Sequence, residues 1–167
     1  MTVGKLVFDA SLCTGCRACE LACSFVSEGV FAPSRSRVRV VKFDERGMDV
    51  PLGCLHCERA PCASACPVGA ISTDADTGAV LIDHDVCVGC RLCIGVCPFG
   101  AIGYNEETGV VYKCDLCAGD PECVKWCFTG AIRYVEGADD VAAAKRRRGA
   151  ERVAASLEDT RKLSMKP

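Results

Sequence analysis

The sequence predicts an α+β fold of short antiparallel hairpins and short helices, with one structural unit used twice and a helical C-terminal extension. Three observations predict it. Of 167 residues, 16 are Cys, and they fall into four groups of four. A Gly-Ala-Ile segment leaves three of those groups, and two of these segments run into a strand–turn–strand pattern. Residues 138–167 contain no Cys and carry a helical stripe of apolar residues.

Composition narrows the class further. The chain is 50% hydrophobic and 6% aromatic, with one Trp, three Tyr and six Phe. So small an aromatic complement means that the cysteines, or what they bind, carry part of the stability. Collagen-like, coiled-coil and disordered classes are excluded, and no run approaches the 18 apolar residues of a membrane helix. The formal charge of −2 hides an asymmetry: residues 1–137 hold 12 Lys and Arg against 17 Asp and Glu, whereas residues 138–167 hold 8 against 5. The start, MTVGKLVFDA, lacks a secretory h-region and a twin-arginine pair, which reads as a cytoplasmic protein with reduced thiols.

Taken in order, Lys5–Phe8 and Val38–Phe43 are β-rich and are expected to pair with each other. Ile71–Thr73, a turn through Asp76-Thr77-Gly78 and Val80–Ile82 form one expected hairpin. Ile102–Tyr104, a turn through Glu107-Thr108-Gly109 and Val110–Tyr112 form another. The Ile of each Gly-Ala-Ile (Ile71, Ile102, Ile132) reads as a core residue. From Ala138 the chain reads as helix: Asp139 and Asp140 suit its start, and Ala150, Val153, Ala154 and Leu157 form an i, i+3, i+4, i+7 stripe. The domain division is therefore 1–137 and a basic tail, 138–167.

The cysteine spacing carries the chemistry. Group one is Cys13, Cys16, Cys19 and Cys23, spaced C-x2-C-x2-C-x3-C; group three, Cys87, Cys90, Cys93 and Cys97, repeats it. Group two is Cys54, Cys57, Cys62 and Cys66, with four residues in its middle gap, and group four is Cys114, Cys117, Cys123 and Cys127, with five. Disulfides conflict with a reducing compartment. Structural zinc usually takes two separate C-x2-C pairs, and the third and fourth Cys exceed that pattern. The run C-x2-C-x2-C-x3-C-P is the signature of [4Fe–4S] clusters, in which three thiolates wrap one cubane and the fourth reaches another; group three continues as Cys97-Pro98 and group two, with its longer middle gap, as Cys66-Pro67. The x3 step predicts the first turn of a helix leading away from the loop. Thr14-Gly15, Val88-Gly89 and Gly95 are expected to offer backbone N–H groups to the clusters, since Gly permits close approach. Four such clusters would add about −8 to the charge.

On these cysteine groups, the CPxGAI segments and the KCDLC start of group four, the chain resembles the four-cluster iron–sulfur subunits of the dimethyl sulfoxide reductase, formate dehydrogenase and nitrate reductase type. It is also similar to the shorter relatives that serve carbon monoxide dehydrogenase, formate hydrogenlyase and tungsten-dependent aldehyde oxidoreductases. The resemblance covers roughly residues 3–136. It implies two interleaved bacterial ferredoxin-like modules holding four [4Fe–4S] clusters, with groups one and four sharing two clusters and groups two and three sharing two. Carried onto this chain, the ligand sets are Cys13, Cys16, Cys19 and Cys127; Cys114, Cys117, Cys123 and Cys23; Cys54, Cys57, Cys62 and Cys97; and Cys87, Cys90, Cys93 and Cys66. Ser24 and Phe128 stand where Pro is commoner, and group four is shorter than in larger members.

The resemblance further implies a non-catalytic electron-transfer subunit in anaerobic metabolism. Its partners would be a catalytic subunit of the molybdenum- or tungsten-pterin class, oxidising aldehyde or formate, and a second redox partner. The alternatives are a free polyferredoxin, and a self-assembled cluster chain linked as a homo-oligomer by the tail. No catalytic triad, phosphate-binding glycine motif or paired catalytic carboxylates accompanies the cysteines. The run Lys145-Arg146-Arg147-Arg148 has no aromatic or recognition motif beside it, so it reads as a solvated face or a docking arm rather than a nucleic-acid site. Trp126 is expected to shield its neighbouring cluster from water, His56 and His84 to lie at the surface or to hydrogen-bond, and Asp83 and Asp85 to form turns.

Overall fold

A computed structural model describes residues 3–137; the expected tail helix at 138–167 lies outside the described residues. The described residues form eight short strands, paired as four separate two-stranded antiparallel ladders. Two hairpins are those expected from the turn chemistry. β4 (Ile71–Thr73) pairs with β5 (Val80–Ile82), and β6 (Ile102–Asn105) pairs with β7 (Val110–Lys113). In the first turn the Asp74 carboxylate accepts from the Thr77 N–H at 2.8 Å and the Thr77 hydroxyl at 2.6 Å. Gly78 then turns the chain back with φ +68°.

The expected pairing of Lys5–Phe8 with Val38–Phe43 is not formed. β2 (Arg39–Phe43) instead pairs with β3 (Met48–Leu52), the next segment in sequence. A 3-10 turn at Asp44–Arg46 and a left-handed Gly47 connect them tightly enough for a local hairpin, which avoids the entropy of a long closure. β1 (Gly4–Phe8) pairs with β8 (Ile132–Glu136), the last described strand, from Gly4↔Glu136 to Phe8↔Ile132. This ladder brings the first and last cysteine groups side by side.

The helical turns fall in the x3 steps, as expected: in each group the helix begins around the third cysteine. How far it leads on differs between the groups. α2 (Pro61–Ser64), α3 (Leu92–Val96) and α4 (Glu122–Lys125) carry Cys62, Cys93 and Cys123 and stop before the fourth Cys. Pro67 and Pro98 follow two of these exits, where a missing N–H forbids continuation. Group one has Ser24 instead, and its helix, α1 (Ala18–Glu28), runs on past Cys23 to a left-handed Gly29 cap. Ser24 is fully buried; its hydroxyl donates to Leu21 O and accepts from Ala32 N–H, each at 3.1 Å.

α1 packs against α4, and α2 against α3. The apolar interior divides in the same way. Leu6, Phe8, Val38, Val40, Leu116 and Ile132 surround Cys19 and Cys123. Ile71, Val80, Ile102 and Val111 surround Cys62 and Cys93. All three Ile of the Gly-Ala-Ile segments are buried, as expected. Among the described residues no helix is long and apolar enough to cross a membrane.

Candidate iron–sulfur centres

The cysteine loops share a backbone design. Two residues after the first Cys of every group stands a left-handed residue: Gly15, His56, Gly89 and Leu116, at φ 66°, 44°, 68° and 59°. Arg17, Arg91 and Ala118, one residue past the second Cys, are left-handed too. Such steps turn successive N–H groups to one side and make a concave, anion-accepting backbone. His56 N–H reaches Cys54 Sγ at 3.5 Å, and Leu116 N–H reaches Cys114 Sγ at 3.4 Å.

The fourth cysteines are served by the segments that follow them. Gly69, Gly100 and Gly130 are left-handed, and each curls the chain back toward its own Cys. Ala70 N–H then donates to Cys66 Sγ at 3.3 Å, Ala101 N–H to Cys97 Sγ at 3.5 Å and Ile132 N–H to Cys127 Sγ at 3.3 Å. Group one has no Gly-Ala-Ile, and Arg37 N–H, from the segment leading into β2, takes the role for Cys23 at 3.3 Å. The expectation that small-residue loops supply donors therefore holds at Gly15, whose N–H favours the Cys13 thiolate. Gly95 instead lies inside α3.

All sixteen cysteines are free thiols. Burial pushes Cys19 and Cys114 up to about 12, and neighbouring anions add to it. Cys123, Cys117, Cys62, Cys93 and Cys13 move in the same direction, first through burial. Cys66 goes the other way: against desolvation, the N–H groups of Val68, Ala70, Gly69 and Ile71 hold its thiol below the usual range. Buried thiols ionise only when a cation compensates, so metal loading must release protons here.

The tertiary structure gathers cysteines from different groups. One pocket is lined by Cys23, Cys114, Cys117 and Cys123. A second is lined by Cys66, Cys87, Cys90 and Cys93. A third is lined by Cys54, Cys57, Cys62 and Cys97. The remaining four are also neighbours, because Cys16 and Cys127 both act on the charge of Cys13 and of Cys19. Among the described residues no three His, Cys, Asp or Glu side chains are placed to share one metal ion. A cubane asks for wider spacing than a single ion, because each thiolate takes its own iron. Free soft thiolates, donors aimed at sulfur and four-Cys pockets fit [4Fe–4S] clusters.

A 4Fe-4S dicluster domain model matches residues 47–137, which contain groups two to four. The chain belongs to the 4Fe-4S dicluster family. Its relatives include the aliphatic sulfonate oxidoreductase polyferredoxin-like subunit of Pyrococcus furiosus, 42% identical over 75% of this chain and 73% of that protein. NrfC of Escherichia coli is 36% identical over 77% of this chain and 63% of its own length. The thiosulfate reductase electron transfer subunit PhsB of Salmonella typhi is 34% identical over 77% of this chain and 73% of that protein. Among solved structures, the BamBC active-site complex of benzoyl coenzyme A reductase with zinc has a chain 28% identical, with a TM-score of 0.49, covering 95% of this chain and 99% of its own length. As a dicluster-family member this protein is an iron–sulfur electron-transfer subunit, related to proteins named as polyferredoxin-like and electron transfer subunits of oxidoreductases.

Other expected positions divide. His84 is exposed, and Asp83 forms a turn, its carboxylate accepting from Asp85 N–H at 2.9 Å. Trp126, beside Cys127, is 47% exposed. His56 is fully buried; its Nδ1 accepts from Val80 N–H at 2.9 Å, and burial, with Lys113 and Lys5 nearby, lowers it to about 3. Two residues with no motif of their own also serve the site. Glu20 is buried and accepts from Val40 N–H at 2.7 Å, fastening α1 to β2. Lys113 is buried beside Cys114. Polar residues beside a ligand Cys are the signal that could have marked both.

Proposed function

We propose that the chain holds four [4Fe–4S] clusters in two interleaved ferredoxin-like modules and relays single electrons between a catalytic oxidoreductase subunit and a second redox partner. The ligand sets of this reading are Cys13, Cys16, Cys19 and Cys127 for the first cluster, and Cys23, Cys114, Cys117 and Cys123 for the second. Cys54, Cys57, Cys62 and Cys97 serve the third, and Cys66, Cys87, Cys90 and Cys93 the fourth. The observation that carries it is the grouping of the pockets, each taking three cysteines from one group and one from another.

When bound, the clusters supply one-electron stations whose potentials span a wide range in proteins. The chain's own residues set the order of the sites. Cys19 acts on Cys123, Cys54 on Cys114 and Cys62 on Cys93. These electrostatic influences support an order of first to second, second to third and third to fourth, a linear array. The N–H···S bonds and the buried Ile residues keep the thiolates fixed and shielded, which limits reorganisation when charge arrives. The catalytic partner in this reading is of the molybdenum- or tungsten-pterin class, a reading supported by the resemblance to subunits that serve such enzymes.

Anaerobic purification with counts of iron and acid-labile sulfide tests the cluster number. About sixteen of each per chain is expected for four cubanes; about eight would reject it. Molybdenum or tungsten in a stoichiometric co-purifying subunit tests the partner class, and a partner without either metal would reject that part.

A further inference from the structure

Lys113, the last residue of β7, is 5% exposed. Its Nζ donates to the carbonyl oxygens of Val80, in β5, and of Cys114, the latter at 3.0 Å. An ammonium has three N–H donors, and these carbonyls use two. Among the described residues no carboxylate forms an ion pair with it. A buried cation without a counter-charge is strongly disfavoured, so its position demands an anion. The anions beside it are thiolates. Lys113 lines the same pocket as Cys54, Cys57, Cys62 and Cys97. Burial pushes the Cys62 thiol up, and Lys113 is the leading influence pulling it down.

The location adds a second point. Cys114 belongs to the neighbouring pocket, so Lys113 stands where the second and third sites meet. On the same side, Lys5 Nζ donates to His56 O at 2.6 Å, so a second cation approaches the group-two loop. The carboxylates that act on the cysteine thiols, Glu20 and Asp49 at the first site and Asp115 and Glu122 at the second, lie away from the third.

We propose that Lys113 is the built-in counter-ion of the cluster held by Cys54, Cys57, Cys62 and Cys97 and raises its reduction potential above that of its neighbours. This rests on the ligand set proposed above. Reduction adds one negative charge to the cluster, and a fixed ammonium in a low-dielectric pocket stabilises the reduced form more than the oxidised one. The third site then becomes the position in the array where an electron rests.

The test is an EPR-monitored redox titration of the full chain with all its clusters, comparing wild type with Lys113→Met and Lys113→Arg. In Lys113→Met one cluster should become at least about tenfold harder to reduce, equal to about 59 mV for a one-electron couple. The other clusters should move much less, and Lys113→Arg, which keeps the charge, should stay near wild type. Unchanged potentials in Lys113→Met, an equal shift of every cluster, or an equal shift in Lys113→Arg would each overturn the proposal. If Lys113→Met loses iron, loss of about four irons, one cluster's worth, supports it, and loss spread over all clusters overturns it. Cys62→Ser separates this from the ligand reading: the signal it alters should be the one moved in Lys113→Met. If Cys62→Ser alters no cluster, it is the ligand set that fails.

Discussion

Replacing Cys127 by Ser distinguishes shared ligand sets from an arrangement in which every group of four holds its own cluster. Cys127 follows α4, whereas Cys13, Cys16 and Cys19 lie at and before the start of α1. A cluster across them closes a loop of about 100 residues, and a cross-link of that span is worth about 4.7 kcal/mol of unfolded-state entropy. Cys23, joined to Cys114, Cys117 and Cys123, closes nearly the same loop a second time. With that tie intact, the first tie closes only about 10 to 15 further residues, worth about 3 kcal/mol. Cys127→Ser should therefore remove about four irons, cost about 3 kcal/mol and lower the melting temperature by about 6–12 °C. Adding Cys23→Ser should bring the loss to about 8 kcal/mol, more than twice the single effect and enough to consume the stability of an ordinary domain. Iron counting, EPR and anaerobic thermal unfolding by circular dichroism read these outcomes. The reasoning is refuted if Cys127→Ser alters the same EPR signal as Cys114→Ser, or if Cys23→Ser adds nothing to its thermal effect.

Three further outcomes follow from the packing. Glu20→Ala strands the buried Val40 N–H that the carboxylate now receives, and should cost about 1–3 kcal/mol in chemical denaturation; Glu20→Gln, which keeps an acceptor, should cost clearly less. Ser24→Pro puts proline inside α1, where groups two and three have their helix already ended, and should cost about 3 kcal/mol or more; a neutral result would show that α1 need not continue past Cys23. His56 falls from 6.5 in the unfolded chain to about 3 when folded. Its contribution is thus fully present above pH 6.5 and is lost as pH falls toward 3, about 2 kcal/mol between pH 7 and pH 5. In His56→Gln that acid-induced loss, followed by equilibrium unfolding, should shrink by the same amount.

Much of the site is legible in local sequence because its chemistry is local. A C-x2-C step, a left-handed residue between its cysteines and a Gly that curls the chain back after the last Cys are properties of three to six consecutive residues. Thus Gly69, Gly100 and Gly130 mark where the backbone turns a donor toward sulfur, although the donated bond itself is not written in the letters. The hairpins of Ile71–Ile82 and Ile102–Lys113 are read from their turns for the same reason. The partner of Lys5–Phe8 is not legible in this way, because alternating β-branched residues say that a segment is a strand but not which strand it meets. The identity of that partner, β8, depends on both ends of the described chain arriving together.

The type of ligand, the four loops that present it and the helical turn between the third and fourth thiols of each group are written in local stretches of residues. This is because the bonding needs of a thiolate and the curvature of a tight loop are met within a few residues. Long-range packing sets which loops face one another, that Arg37 rather than a following glycine segment serves Cys23, and that His56, Glu20 and Lys113 are buried. Those choices depend on closing loops of tens of residues and on desolvating charge, and neither quantity exists until the distant segments have packed.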